Sequence, residues 1–290
     1  MRKTPIRPLA TPNSGELLII EGDAGSTNFS SLIPKTIDVA YYLIHSMSSP
    51  QKDLAGIESQ VARHCALQFK AMELGQIVYL GGIVPEGELS SHMKSRYMVE
   101  GELRSSGRPL TVIRAAIIIG SGSASFEIMR DLVEKLPVMI APKWLHSRCQ
   151  PIAVYDCIHY LVECAGNSEL LDRTVEIGGP DVLTYREMLL ELARVRGLKR
   201  LIVTVPVLTP RLSSFWLTLV TAVPFSLSQS LVMSLVHDAV TQKTSQNDVL
   251  AYEPLRYEEA LKRAFAKIQG NDVFSKWTDA SHGQGDFLLN

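Results

Sequence analysis

Cysteine is scarce in this chain: Cys65, Cys149, Cys157 and Cys164 are the 4 among 290 residues, with no CxxC pair and no zinc-type spacing. That excludes a secreted disulfide scaffold, gives no sign of a metal centre, and leaves reduced, mostly buried thiols as the expectation. An excess of one charge sign is missing too. The 29 Lys and Arg stand against 30 Asp and Glu, so there is no broad positive field to attract a phosphate backbone, and nucleic acid is not an expected partner. The opening MRKTPIRPLATPNSG is basic and proline-bearing but lacks the apolar core of an export signal, which makes a cytoplasmic location the expectation. Internal repeats and low-complexity tracts are also absent.

What is present is apolar. With 46% hydrophobic and 20% charged residues, the chain can bury a large core. One stretch tests that picture: Leu212 to Val236 carries no formal charge and is long enough to cross a bilayer as one helix. Pro224 breaks it near the middle, and 9 of its residues are Ser, Thr or Gln. The expectation over 212–236 is two buried helices, or a lobe that faces a membrane surface or a protein partner.

From Glu16 to about Ala165, short β-branched runs alternate with helical patterns, the order of a parallel sheet covered by helices. The runs are ELLIIEG, DVAYYLIHS, QIVYLGG and PLTVIRAAIIIG, each nearly continuous in apolar residues, as strands buried on both faces should be. Ile57, Val61, Cys65, Phe69 and Met72 fall on one helical stripe that Gly75 can end. Phe126, Met129, Leu132, Val133 and Leu136 form a second stripe, stopped by Pro137. Asp156 is placed to cap the helix CIHYLVECAG. Thr184 and Glu187 make a capping-box pattern before a further helix, and RYEEALKRAFAKIQG is amphipathic through Leu261, Ala264, Phe265 and Ile268.

Taken in order, DVAYYLIHSM, IVYLGG, the SxHxxSRxxVExxLRxSG helix, TVIRAAIIIGSG, QPIAVYD and EIGGPDVLTYREM resemble the atypical, extended short-chain dehydrogenase/reductases, nearest the NAD(P)H-binding, NmrA-like or epimerase-like group. The resemblance implies an α/β fold: a Rossmann-like, doubly wound parallel sheet with a mostly helical C-terminal lobe closing over a small-molecule substrate. It divides the chain into an irregular arm at 1–15, the NAD(P)-binding domain at 16–165, the lobe at 166–270 and a flexible tail at 271–290. It also implies cofactor contacts: Asp23 toward adenine, Leu43, Ile44, His45 and Ser46 at the next strand end, Gly81 and Gly82 at the one after, and Ala116, Ile117 and Ile118 on the nicotinamide side.

Active members of that superfamily carry a Tyr and, four residues later, a Lys on one helix face. In LSSHMKSRYMVEGEL, His92 stands at the Tyr position and Arg96 at the Lys position. His92 can exchange a proton near neutral pH. Arg96 suits ribose hydroxyls or phosphate but cannot cycle a proton. The family's opening strand, GxxGxxG turn, helix and second strand have no counterpart before Glu16, so the grip on the cofactor diphosphate is expected to be weakened. Removing two inner strands would also expose two sheet edges unless ELLIIEG pairs directly with DVAYYLIHS. GSGSASF has Ser125 where a third glycine would stand and reads as a plain strand-to-helix turn. The leading expectation is an NAD(P)-binding oxidoreductase or epimerase-like protein. The alternatives are a non-catalytic dinucleotide sensor or assembly protein, and a shortened, non-functional product.

Overall fold

A computed structural model describes residues 22–26, 33–44, 54–84, 91–205, 235–242 and 250–270, with the backbone alone at residues 54, 55, 91 and 92. Four strands form the main sheet: β1 (Thr36–Tyr42), β2 (Glu73–Gly82), β3 (Leu110–Ala115) and, after four short strands, β8 (Thr174–Ile177). They lie in the order β1-β2-β3-β8 and every pair is parallel. Tyr41 faces Val78, and Leu80 faces Ile113, so three of the four apolar runs lie side by side as a parallel sheet requires. ELLIIEG falls outside the described residues except for Gly22.

The crossovers follow from the pattern. Helix α1 (Leu54–Lys70) joins β1 to β2, and α2 (Ser91–Arg104) joins β2 to β3. The buried stripe of α1 is Glu58, Ala62, Cys65, Ala66 and Phe69, whereas Ile57 and Val61 are only half-buried. The face is thus turned by one residue from the expected one. Gly75 does not end the helix; it sits inside β2, where an added Cβ would lie 2.7 Å from the Asp38 carbonyl oxygen of β1. The close approach of two backbones, not a helix stop, is what requires glycine there.

Past β3 the chain leaves the main sheet. β4 (Ile118–Ile119) pairs with β7 (Ile152–Ala153), and α3 (Ala124–Lys135) follows with Ser123 as its cap. β5 (Val138–Pro142) pairs in parallel with β10 (Leu201–Val205), and β6 (Arg148–Cys149) pairs antiparallel with β9 (Leu183–Thr184). Helix α4 (Val154–Glu163) leads toward β8, and α5 (Tyr185–Val195) and α6 (Tyr257–Gln269) complete the lobe. A single apolar core joins α3, α5 and α6 through Phe126, Met188, Leu192 and Leu261. β8 belongs to the main sheet, so the sheet takes in a strand from beyond the expected boundary at residue 165.

Residues 235–242 run along the lobe as a strap. Ala239 bridges Cys149, Asp238 accepts from the Arg148 backbone at 2.7 Å, and Gln150 accepts from Thr241. Asp156 does not cap α4, whose N-cap is Ala153. Its fully buried carboxylate accepts instead from the Tyr252 hydroxyl and the Leu255 N–H, both at 2.9 Å. All four cysteines are buried and free. Among the described residues, no helix is long and apolar enough to cross a membrane; the 212–236 stretch lies outside them apart from Leu235 and Val236.

Candidate functional site

In an open parallel sheet, ligands bind outside the carboxyl ends of the strands, where loops leave room and helix N-termini converge. Here those ends are Leu43 and Ile44 after β1, Gly81 and Gly82 closing β2, and Ala116 to Ile118 after β3. Gly81 and Gly82 pair with Arg114 and Ala115, and the Ile83 N–H donates to the Ala115 carbonyl, which holds the second and third strand ends together. A Cβ on Gly82 would meet the Met93 side chain at 3.1 Å; this contact seats the first turns of α2 on the end of β2.

Arg96 lies on the next turn of α2 and is half-buried. Its guanidinium donates to the Leu80 carbonyl at 3.4 Å, and its own carbonyl accepts from the Tyr79 hydroxyl at 3.2 Å. A guanidinium carries five N–H donors, more than one carbonyl can use. Tyr79 and Tyr42, neighbours in register, pack edge to face at 6.0 Å. Burial raises both phenols above the ordinary tyrosine value, and the Arg96 charge works in the opposite direction on each. Neither tyrosine is suited to give up its proton near neutral pH.

Of the residues expected at the site, the structure brings Gly81, Gly82, Arg96, Ala116, Ile117 and Ile118 to adjoining strand ends, with Leu43 and Ile44 at the end of β1. Leu43 and Ile44 are exposed, and Ala116 to Ile118 are half-buried. Ile117 is also tied into the lobe, since its carbonyl accepts from the Ile152 N–H at 3.0 Å. His45 and Ser46 lie outside the described residues, as does the side chain of His92, whose backbone is in the first turn of α2.

Asp23 lies in a turn that precedes β1. Its carboxylate accepts from the Gly25 N–H at 2.9 Å, and the turn it closes packs on α1 through Ala24 and Cys65. The βα turn at Gly120 is occupied as well. Ser123 donates to the Ile118 carbonyl and accepts from the Phe126 N–H, and a Cβ on Gly120 would meet Val154 at 3.0 Å. That turn serves a helix cap and a packing contact, as its sequence suggests.

Two features escape the sequence. The first is Glu58, nearly buried on α1 and bound to Ser95 of α2; a glutamate four residues before the fully buried Ala62 was the only signal. The second is the Gln150 clasp, which donates to the Gly179 carbonyl at 2.7 Å while accepting from Thr241. Among the described residues, no group of three His, Cys, Asp or Glu side chains could hold a metal ion.

No family model and no curated protein matches the sequence. Solved structures do match the fold. The Citrobacter sp. triphenylmethane reductase complexed with NADP(H) superposes with a TM-score of 0.64 at 13% identity, over 84% of this chain and 82% of that one. The NADPH-dependent quinone oxidoreductase of Escherichia coli, complexed with NADPH, gives 0.65 at 16% identity over 84% and 82%. A variant of UDP-glucuronic acid 4-epimerase from Bacillus cereus, with NAD bound, gives 0.61 at 14% over 87% and 81%. The fold is therefore α/β with a parallel sheet of the Rossmann type found in short-chain dehydrogenase/reductase structures. At these identities the likeness establishes architecture.

Proposed function

We propose that this protein binds a nicotinamide dinucleotide across the carboxyl ends of β1, β2 and β3, and that it acts as an oxidoreductase or epimerase-like protein of the atypical short-chain dehydrogenase/reductase kind. The observation that carries the reading is Arg96, half-buried beside the glycine pair that ends β2, in a fold shared with structures solved with NAD, NADPH or NADP(H). The residues present fit such a group in part. The exposed Leu43 and Ile44 and the half-buried Ala116 to Ile118 offer apolar surface to the rings, and the Arg96 fork matches paired ribose hydroxyls.

A bound nicotinamide would supply hydride transfer. The chain's own share is to orient and to exchange protons, and His92, four residues before Arg96, is the side chain proposed for that exchange. The Ser123 hydroxyl of the Gly120 turn is committed to a helix cap, and a weak grip on the diphosphate is the specific expectation. A second reading, a non-catalytic dinucleotide sensor or assembly protein, is favoured by Gly81 and Gly82, which present no side chain to polarise a carbonyl.

Titration of the full chain with NADPH, followed by nicotinamide fluorescence, tests the binding. Saturable binding weakened by Arg96→Ala is expected, and no binding up to millimolar cofactor removes the reading. Turnover of the bound cofactor that disappears in His92→Ala would remove the sensor alternative.

A further inference from the structure

Glu58 is a carboxylate at 6% exposure. Burying such a group is unfavourable unless hydrogen bonds hold it, and its place in the fold shows one of them. The Ser95 hydroxyl, itself buried, donates to Glu58 in a short contact from α2 to α1. Ser95 immediately precedes Arg96. Successive residues on a helix are turned by about 100°, so fixing Ser95 toward α1 directs the next side chain to the end of β2, where Arg96 meets the Leu80 carbonyl. Glu58 and Arg96 also act on the same two phenols in opposite senses: Glu58 raises Tyr42 and Tyr79, and Arg96 lowers them. Glu58, through Ser95, and Arg96, whose carbonyl takes the Tyr79 hydroxyl, thus meet on one stretch of α2 beside the Tyr42–Tyr79 pair.

We propose that Glu58 is a positioning residue for Arg96: through Ser95 it sets the rotation of α2, and so the direction in which Arg96 presents its donors to a ligand. The ligand part of this proposal rests on the dinucleotide reading above. A competing role, mere adhesion between α1 and α2, has its own marker. Arg63 on α1 pairs with Glu102 on α2 at 2.7 Å in the exposed part of the same helix interface, with no contact to the tyrosine pair. Arg63→Ala therefore loosens the helices without touching Arg96.

The test uses the full chain in two arms. In the first, without ligand, the Arg96 Nε–Hε signal is followed by 15N NMR, assigned by its loss in Arg96→Ala. It is expected to shift or broaden in Glu58→Ala and Ser95→Ala, to recover toward wild type in Glu58→Gln, which keeps an acceptor for Ser95, and to stay unchanged in Arg63→Ala. In the second, NADPH affinity is expected to fall about tenfold in Glu58→Ala, with no further loss when the same change is made in Arg96→Ala, the non-additivity of residues acting as one unit. An unmoved Arg96 signal in both Glu58→Ala and Ser95→Ala, or an affinity loss of equal size with and without Arg96, overturns the proposal. Should the wild-type chain bind no NADPH, the dinucleotide reading falls, and the ligand-free arm still decides the role of Glu58. Should Glu58→Ala fail to fold, Ser95→Ala decides it.

Discussion

The β1 flank and the C-terminal lobe are built by different means. Along β1 only Tyr42 is buried; the other residues are exposed or half-buried, and among the described residues β1 pairs with β2 alone. Its side chains add the bonds of Thr36 to Glu73 and of the Tyr41 hydroxyl to the Leu161 carbonyl at 2.8 Å, while Ile37, Val39 and Ala40 pack only half-buried against the cores beside the sheet. The lobe instead has a core in which Phe126, Met188, Leu192 and Leu261 are fully buried, and its helices α5 and α6 start on fixed donors and acceptors. α5 has a complete capping box, and α6 begins where the Asp181 carboxylate accepts from the Tyr257 N–H at 2.8 Å. One region is held by strand pairing across long sequence separation, the other by apolar burial and locally encoded helix ends.

The sharpest way to break the comparison is to open the lobe core. Phe126 is fully buried and packs edge to face on Phe265 at 5.2 Å. Phe126→Ala should lower stability by about 4 kcal/mol, the lost transfer energy plus the cavity left behind, as read by urea denaturation. A loss below about 1 kcal/mol would mean that the site collapses freely and that the lobe is not the tightly packed region.

Next in size is Gly75→Ala. The new methyl would press on the Asp38 backbone oxygen, 2.7 Å from the ideal Cβ position, and backbone cannot step aside as a side chain can. About 2 kcal/mol of strain is expected, concentrated where β1 meets β2. Hydrogen exchange separates the regions: β1 amides should lose protection while those of α6 keep it. If both fall together, the flank and the lobe are one cooperative unit and the contrast drawn above is wrong.

The same contrast explains what could be read from sequence. The parallel sheet was legible because β2 and β3 are buried on both faces and their apolar runs are nearly unbroken. The α3 and α6 stripes and the Thr184–Glu187 box were legible because each is a local pattern with one structural meaning. Asp156 was misread for a physical reason: it stands in the first turn of α4, where an acidic residue suits the helix end, and its partners Tyr252 and Leu255 are some hundred residues away. Gly75 was misread likewise, since a glycine after an amphipathic run signals a helix end unless the neighbouring strand is known. At the candidate site, only the family resemblance made the Arg96 position visible, as the counterpart of the Lys. Its bracing by Glu58, Ser95 and Tyr79 was not, because it depends on how α1 and α2 are rotated against each other.

The smallest expected effect lies wholly within the local code. Thr184 accepts from the Glu187 N–H at 3.2 Å, and the Glu187 carboxylate accepts from the Thr184 N–H at 2.7 Å and its hydroxyl at 2.8 Å. Thr184→Ala should cost about 1 kcal/mol. The bonds from Thr184, backbone first, hold the Glu187 carboxyl below the usual range. A folded-state pKa depressed in this way contributes stability above the unfolded value, roughly 4.3, and that contribution is lost as pH falls through the folded value. In Thr184→Ala the backbone bond remains and the hydroxyl bond does not, so only part of the acid sensitivity should go: denaturation at pH 7 and pH 3 should differ less in the variant than in wild type. β1 exchange should not respond, and a response there would show that the cap of α5 supports the distant sheet edge as well as its own helix.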